Sequence, residues 1–233
     1  MMRTAGILFG SIVLAGCATP VSTVSRPDAY YESSLTPGTD MSLFAGDAAV
    51  LSDAAIGNIL DYKYQPPALS RIALMPFGRE TWSQWSEELS ISTDQLEQNV
   101  IETLRSSPRV YDASYLPSIL IPKNRTVPYL REAAARYQAD LLLVYRSYCR
   151  SFEKYRMFRA NEARAYCGVE AILLDTRTGL VPFTSVASKT FDVRKTDADT
   201  NFQETVLKAQ LAAVADALAE VSGQIVAFLN EVG

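Results

Sequence analysis

The chain contains no histidine, and that absence excludes more chemistry than any other feature of its 233 residues. Ser-His and Cys-His nucleophilic catalysis, histidine general bases and every histidine-containing metal site are removed together. Glycine is sparse as well: beyond residue 16 no two glycines lie closer than Gly38 and Gly46, so neither a P-loop nor a G-x-G-x-x-G phosphate cradle can be assembled. A basic surplus is also missing. Twenty-two Lys and Arg against 26 Asp and Glu give a net charge of −4, without the phosphate-neutralising excess that nucleic-acid binding needs. The content of 48% apolar residues is enough for one sizeable core, which excludes disorder of the whole chain.

Cysteine is limited to three positions, and the first speaks to compartment. Met1-Met2-Arg3 supplies a short positive start, and the apolar run Ala5 to Gly16 is too short to span ~30 Å of hydrocarbon as a helix. It ends in Leu14-Ala15-Gly16-Cys17, which resembles the bacterial lipobox. Residues 1–16 are therefore expected to be a lipoprotein signal peptide, and Cys17 the acylated first residue of the mature protein, its membrane anchor and the carrier of its palmitate-type lipid. Losing Arg3 brings the mature net charge to −5. Ala18, rather than Asp, follows the cysteine, which in enteric-type sorting implies the outer membrane, with the protein facing the periplasm.

Residues 17–68 are expected to hold the lipidated cysteine, a flexible tether and a short helix near Asp47 to Leu60 with Val50, Leu51, Ala54 and Ile59 on one face. Of the 23 residues from Ala18 to Asp40, twelve are Ser, Thr, Pro or Gly, too little apolar surface to offset the entropy of ordering. Residues 69–233 are expected to form a single domain of the α/β (α+β) class. A strand Arg71 to Phe77 is followed by a helix capped near Ser92-Thr93-Asp94-Gln95, with Leu96, Val100 and Leu104 along one stripe. A strand Arg109 to Tyr111 leads to a helix from about Thr126 to Gln138, entered through Pro128. Strands at Leu141 to Phe152, Ala163 to Leu174 and Val181 to Val193 precede a long C-terminal helix from about Asn201. The order β-α-β-α-β-β-β-α makes a mixed five-stranded sheet, its first three strands parallel and its last two added antiparallel. Pro182 implies an irregular start or an edge position for the last strand.

Cys149 and Cys167 fall on two consecutive strands in an oxidising compartment, so a disulfide is expected, two buried free thiols being the alternative. Antiparallel pairing in that register also sets Arg146 opposite Glu170 and lays Tyr148 over Gly168. It sends Leu141, Leu143, Tyr145, Cys149, Cys167, Val169, Ala171 and Leu173 to one face. Between Arg146 and Tyr166 six basic residues stand against two acidic ones. Arg146, Arg150, Phe152, Lys154, Tyr155, Arg156, Phe158 and Arg159 form the candidate partner-binding set, because Arg and aromatics at a hairpin tip are what interface anchors are made of. The alternative is a solvated hairpin whose Arg stems cover its own aromatics.

Catalytic candidates are few. Ser151-Phe152-Glu153-Lys154 matches S-x-x-K, but on a hairpin and without SDN or KTG partners. Glu87-Glu88, and Asp197 with Asp199, are acidic pairs in polar stretches, where solvation or helix capping accounts for them. No catalytic residue, metal, cofactor or small-molecule substrate is therefore assigned. The strand Ile72-Ala73-Leu74-Met75-Pro76-Phe77, the segment Asp94-Gln95-Leu96-Glu97, the strand opening Ala139-Asp140-Leu141-Leu142-Leu143 and the turn Leu174-Asp175-Thr176-Arg177-Thr178-Gly179 together resemble the periplasmic lipoprotein superfamily. That group includes LpoB, CsgG, the GNA1162-like lipoproteins and the TolB N-terminal domain. The resemblance spans roughly residues 69 to 230 and implies a non-enzymatic envelope protein that docks onto partners. The chain lacks the paired long hairpins of a CsgG-like barrel, and no partner-contacting residue is carried over. The expectation is an outer-membrane-anchored docking, assembly or regulatory module whose hairpin, with Trp82 and Trp85, meets an envelope protein. An envelope hydrolase with carboxylate or Ser-Lys chemistry, or a subunit of a secretion or assembly complex, are the alternatives.

Overall fold

Four consecutive residues, Ile72, Ala73, Leu74 and Met75, have no solvent exposure at all, which requires a strand covered on both faces. They lie in β2, Ser70–Pro76, at the centre of a computed structural model that describes residues 31–33, 43, 51–78 and 86–232. The elements are β1 (Tyr31–Ser33), α1 (Asp53–Asp61), β2, α2 (Glu87–Arg105), β3 (Val110–Tyr115), α3 (Val127–Arg136), β4 (Leu141–Lys154), β5 (Glu162–Asp175), β6 (Phe183–Arg194) and α4 (Phe202–Glu231). A 3-10 turn, Ser118–Leu120, joins β3 to α3.

The five long strands form one mixed sheet in the order β3-β2-β4-β5-β6. β2 pairs parallel with both β3 and β4, whereas β5 and β6 are added antiparallel, so the domain is the expected α+β class. On one face, α2 and α4 cover Ile72, Leu74, Leu141, Leu143, Tyr145, Val169, Ala171 and Leu173. On the other, α3 packs Leu130, Ala133 and Ala134 against Ala73, Met75, Leu142, Val144 and Leu174. α4 is long and apolar enough to cross a membrane, but Val206, Leu207, Leu211, Val214, Leu218, Val221 and Ile225 are buried in the first of these cores.

Three boundaries differ from the sequence reading. α2 starts at Glu87 rather than near Ser92, because the Ser86 hydroxyl accepts from the Leu89 N–H as N-cap and Leu89 adds a fully buried position to the stripe. Thr93 and Gln95, read as cap residues, lie inside the helix: Thr93 donates to the Leu89 carbonyl and Gln95 to Asn99. α1, capped by Ser52, buries none of its residues, so the expected apolar face with Leu51, Ala54 and Ile59 is exposed. Val50 lies outside the described residues. Finally, Tyr31–Ser33, inside the segment expected as tether, pairs antiparallel with β4, Tyr31 opposite Glu153 and Ser33 opposite Ser151. β2 meets β4 only over Leu141 to Tyr145, so β1 takes the same side of β4 nearer its far end. Pro182 directly precedes β6, which is the edge strand.

Candidate functional site

The β4–β5 hairpin carries most of the candidate residues, and its register is the one the cysteines imply. Pairing runs without a shift from Leu141 opposite Asp175 to Lys154 opposite Glu162. Cys149 faces Cys167 and the two are joined by a disulfide, with Cα atoms 4.2 Å apart, about the spacing of a closely opposed antiparallel pair. Arg146 donates to Glu170 at 2.7 Å. Tyr148 lies over Gly168 so closely that a Cβ there would strike its Cζ and hydroxyl.

Strand alternation divides the basic and aromatic residues in a way a linear reading does not show. Arg146, Tyr148, Arg150, Phe152 and Lys154 point to the face opposite α4, where they meet Arg164, Tyr166, Gly168 and Glu170 of β5. α3 covers only the base of that face; beyond it Tyr166, nearer the tip, and Val186, in the base half of β6, are exposed. A shallow groove of about 360 Å³ there is lined by Phe77, Val144, Ile172 and Val186 together with the Arg146–Glu170 pair.

Three of the hairpin arginines are paired: Arg146 with Glu170, Arg156 with Glu162 and Arg164 with Asp192 of β6. Arg156 donates to Glu162 at 2.8 Å, and Arg194 of β6 reaches the same carboxylate at 3.0 Å. Arg164 forms a two-pronged pair with Asp192 of β6 at 2.6 and 3.2 Å. Burial alone would raise the Glu162 carboxyl, but the hydrogen bond from Arg156 and the charges of Arg156, Arg194 and Lys154 hold it below the ordinary range. Tyr155 donates to Glu153, and that bond, with partial burial and the Glu153 charge, pushes its phenol up to about 12. Its ring meets Phe202 edge-on at 5.2 Å, which ties the hairpin to the start of α4.

The loop 155–161 itself is clamped rather than open-ended. Asn161 accepts from the Arg156 backbone N–H at 2.9 Å and gives its own carbonyl to Lys195 at 2.8 Å. Held out on this loop are Met157, 88% exposed, and Phe158, 92% exposed. The Arg stems therefore do not cover Phe158. Met157 is absent from the sequence-derived set; the signal for it was an apolar pair in the middle of a charged turn. Arg150 and Arg159 are exposed and Phe152 is half-buried.

The catalytic candidates separate. Ser151 is buried and accepts from Gln210 at 2.6 Å, and three strand residues on, Lys154 points to the opposite face. Glu87 and Glu88 begin α2, where Glu88 receives Lys208 at 2.6 Å. Asp199 is buried, bonded to Lys208 at 2.7 Å and to Thr196 and Thr205, while Asp197 lies exposed beside it. These contacts dock α4 on α2. Among the described residues no cluster of three or more carboxylates or thiols stands ready for a metal. Cys17, Trp82 and Trp85 lie outside the described residues.

No family model matches the chain, and no curated protein matches it. Solved structures do. One is a PelC dodecamer from Paraburkholderia phytofirmans, 17% identical, covering 69% of this chain and 92% of that one with a TM-score of 0.35. A minor lipoprotein of Acinetobacter baumannii is 15% identical over 68% and 94% of the two chains, TM-score 0.33. Lipoprotein GNA1162 of Neisseria meningitidis, of a group named by the sequence resemblance, is 12% identical over 65% and 99%, TM-score 0.29. At such distances the role of this chain has to be argued from its own residues.

Proposed function

We propose that the chain is a lipid-anchored envelope lipoprotein of the outer membrane, facing the periplasm, that works by contact rather than catalysis. Its contact surface is the tip of the β4–β5 hairpin. The observation that carries this reading is the exposure of Met157 and Phe158 on a loop clamped by Asn161 at the end of a disulfide-braced hairpin. Two large apolar side chains held in water are unfavourable unless something covers them. Basic residues flank them, and the signal-like start with its lipobox-like Leu14-Ala15-Gly16-Cys17 supports a position beside a membrane. The docking role implied by the resemblance to LpoB-like lipoproteins fits the same surface, and the separated Ser151 and Lys154 give a hydrolase no support.

The test is a photo-crosslinking residue at position 158 in cells, with a second at Tyr111, an exposed residue of β3 near the opposite end of the sheet. An adduct to an envelope component at 158 and none at 111 is expected. Equal, background-level labelling at both positions would remove the tip as the contact surface.

A further inference from the structure

The place where the chain enters the sheet constrains what the tip can meet. β1 runs antiparallel to β4 with Tyr31 opposite Glu153, one residue from the end of β4. Tyr31, the N-terminal end of β1, therefore lies at the tip end of β4. Thirteen residues, 18–30, separate Tyr31 from Cys17. However they are arranged, they span at most about 45 Å. From Glu153 back to Leu141 β4 itself extends about 40 Å, so turning the base of the sheet to the membrane would use nearly all of that reach.

We infer that the hairpin tip is seated in the surface of the same bilayer that holds the lipid on Cys17, which rests on the reading of Cys17 as the anchor. The loop has the chemistry for it. Tyr155-Arg156-Met157-Phe158-Arg159-Ala160-Asn161 contains no acidic residue; its apolar centre is followed by the exposed Arg159, whose stem can lie along acyl chains while its head meets phosphate. The acidic residues on either side are occupied: Glu162 by Arg156 and Arg194, Glu153 by the Tyr155 hydroxyl. With the loop already clamped through Asn161, entering the headgroup layer costs little further ordering. The domain then stands on two points, the acylated cysteine and the hairpin tip, with the sheet raised from the membrane.

The experiment uses the full lipidated protein in vesicles of phosphatidylcholine and phosphatidylglycerol. With Cys17 acylated and Cys149 bonded to Cys167, Met157→Cys provides a single thiol for an environment-sensitive dye. The expected result is blue-shifted emission quenched by spin-labelled lipid, with the dye on Tyr111→Cys remaining aqueous. Adding Phe158→Asp should lower the ratio of inserted to withdrawn tip roughly ten-fold or more, and Arg159→Glu should lower it where phosphatidylglycerol is present. An aqueous spectrum at position 157 in acylated protein overturns the inference. If position 158 nonetheless crosslinks to a protein in cells, the docking reading stands without the membrane; if Cys17 proves unacylated, both fall.

Discussion

Gly168 and Tyr148 show how one missing methyl can organise a strand pair. The Tyr148 ring occupies the space a side chain on Gly168 would need, so Gly168→Ala must push the ring away from the sheet. A loss of about 1–2 kcal/mol is expected in denaturant titration, and Gly168→Ala should cost much less in a Tyr148→Ala background, because the collision is then gone. Additive effects would show that the two residues are not coupled. Asp199 makes the second prediction at this scale. Burial would raise its carboxyl, but Lys208, the Thr196 backbone and the hydroxyls of Thr205 and Thr196 outweigh it and bring it from 3.8 to about 2. Its share of stability is therefore complete above about pH 4 and is lost as pH falls through about 2, a contribution on the order of 2 kcal/mol. In acid titrations Asp199→Asn should start less stable and lose less between pH 4 and pH 2. Parallel curves for the two proteins would count against it. The Cys149–Cys167, Arg146–Glu170 and Tyr148–Gly168 pairs were all legible beforehand, since one antiparallel register dictates every opposed pair at once. Arg164–Asp192 and Arg194–Glu162 were not, because which residues of β6 stand beside β5 depends on the turn between them.

At the scale of elements, the hairpin is the longest-reaching part of the sheet, with 14 residues in each strand, and β2 supports only the base of β4. The disulfide closes it about midway between base and tip. Seventeen residues separate the two cysteines, and closing such a loop stabilises by about 3 kcal/mol. Reduction, or Cys149→Ala with Cys167→Ala, should lower Tm by roughly 6–12 °C for a domain of this size; an unchanged Tm would mean that strand pairing alone holds the hairpin. Helix ends were less legible than strand registers. Ser86, Ser92 and Thr93 all have capping side chains, and the choice fell to Ser86 because an earlier start puts Leu89 into the core. α1 formed near its expected place but without its expected burial, since amphipathic spacing describes a face and does not supply a surface to cover it.

Across the whole molecule, Tyr31 and the hairpin tip lie on one side, and the proposed anchor is joined to that side by residues 18–30. The N-terminal prediction is that Cys17→Ala abolishes fatty-acid labelling and leaves uncleaved precursor; persistent labelling would refute the lipobox reading and release the constraint that brings the tip to the membrane. The count of positive charge along the hairpin does not say which charges are paired: Asp192 of β6 reaches Arg164 and Glu170 reaches Arg146, while Arg150 and Arg159 are exposed along with Met157 and Phe158.

What the sequence by itself determined is whatever depends on local periodicity or on a single register: the element order, the mixed sheet, the hairpin pairing and the disulfide. Missing histidines and glycine cradles likewise needed no coordinates to restrict the chemistry. Only the tertiary structure decided the order β3-β2-β4-β5-β6, which arginines are neutralised, and that Tyr31 enters beside the hairpin tip. Those outcomes depend on which strands and helices become neighbours, and neighbours far apart in sequence are selected by burial of the whole core rather than by any local pattern.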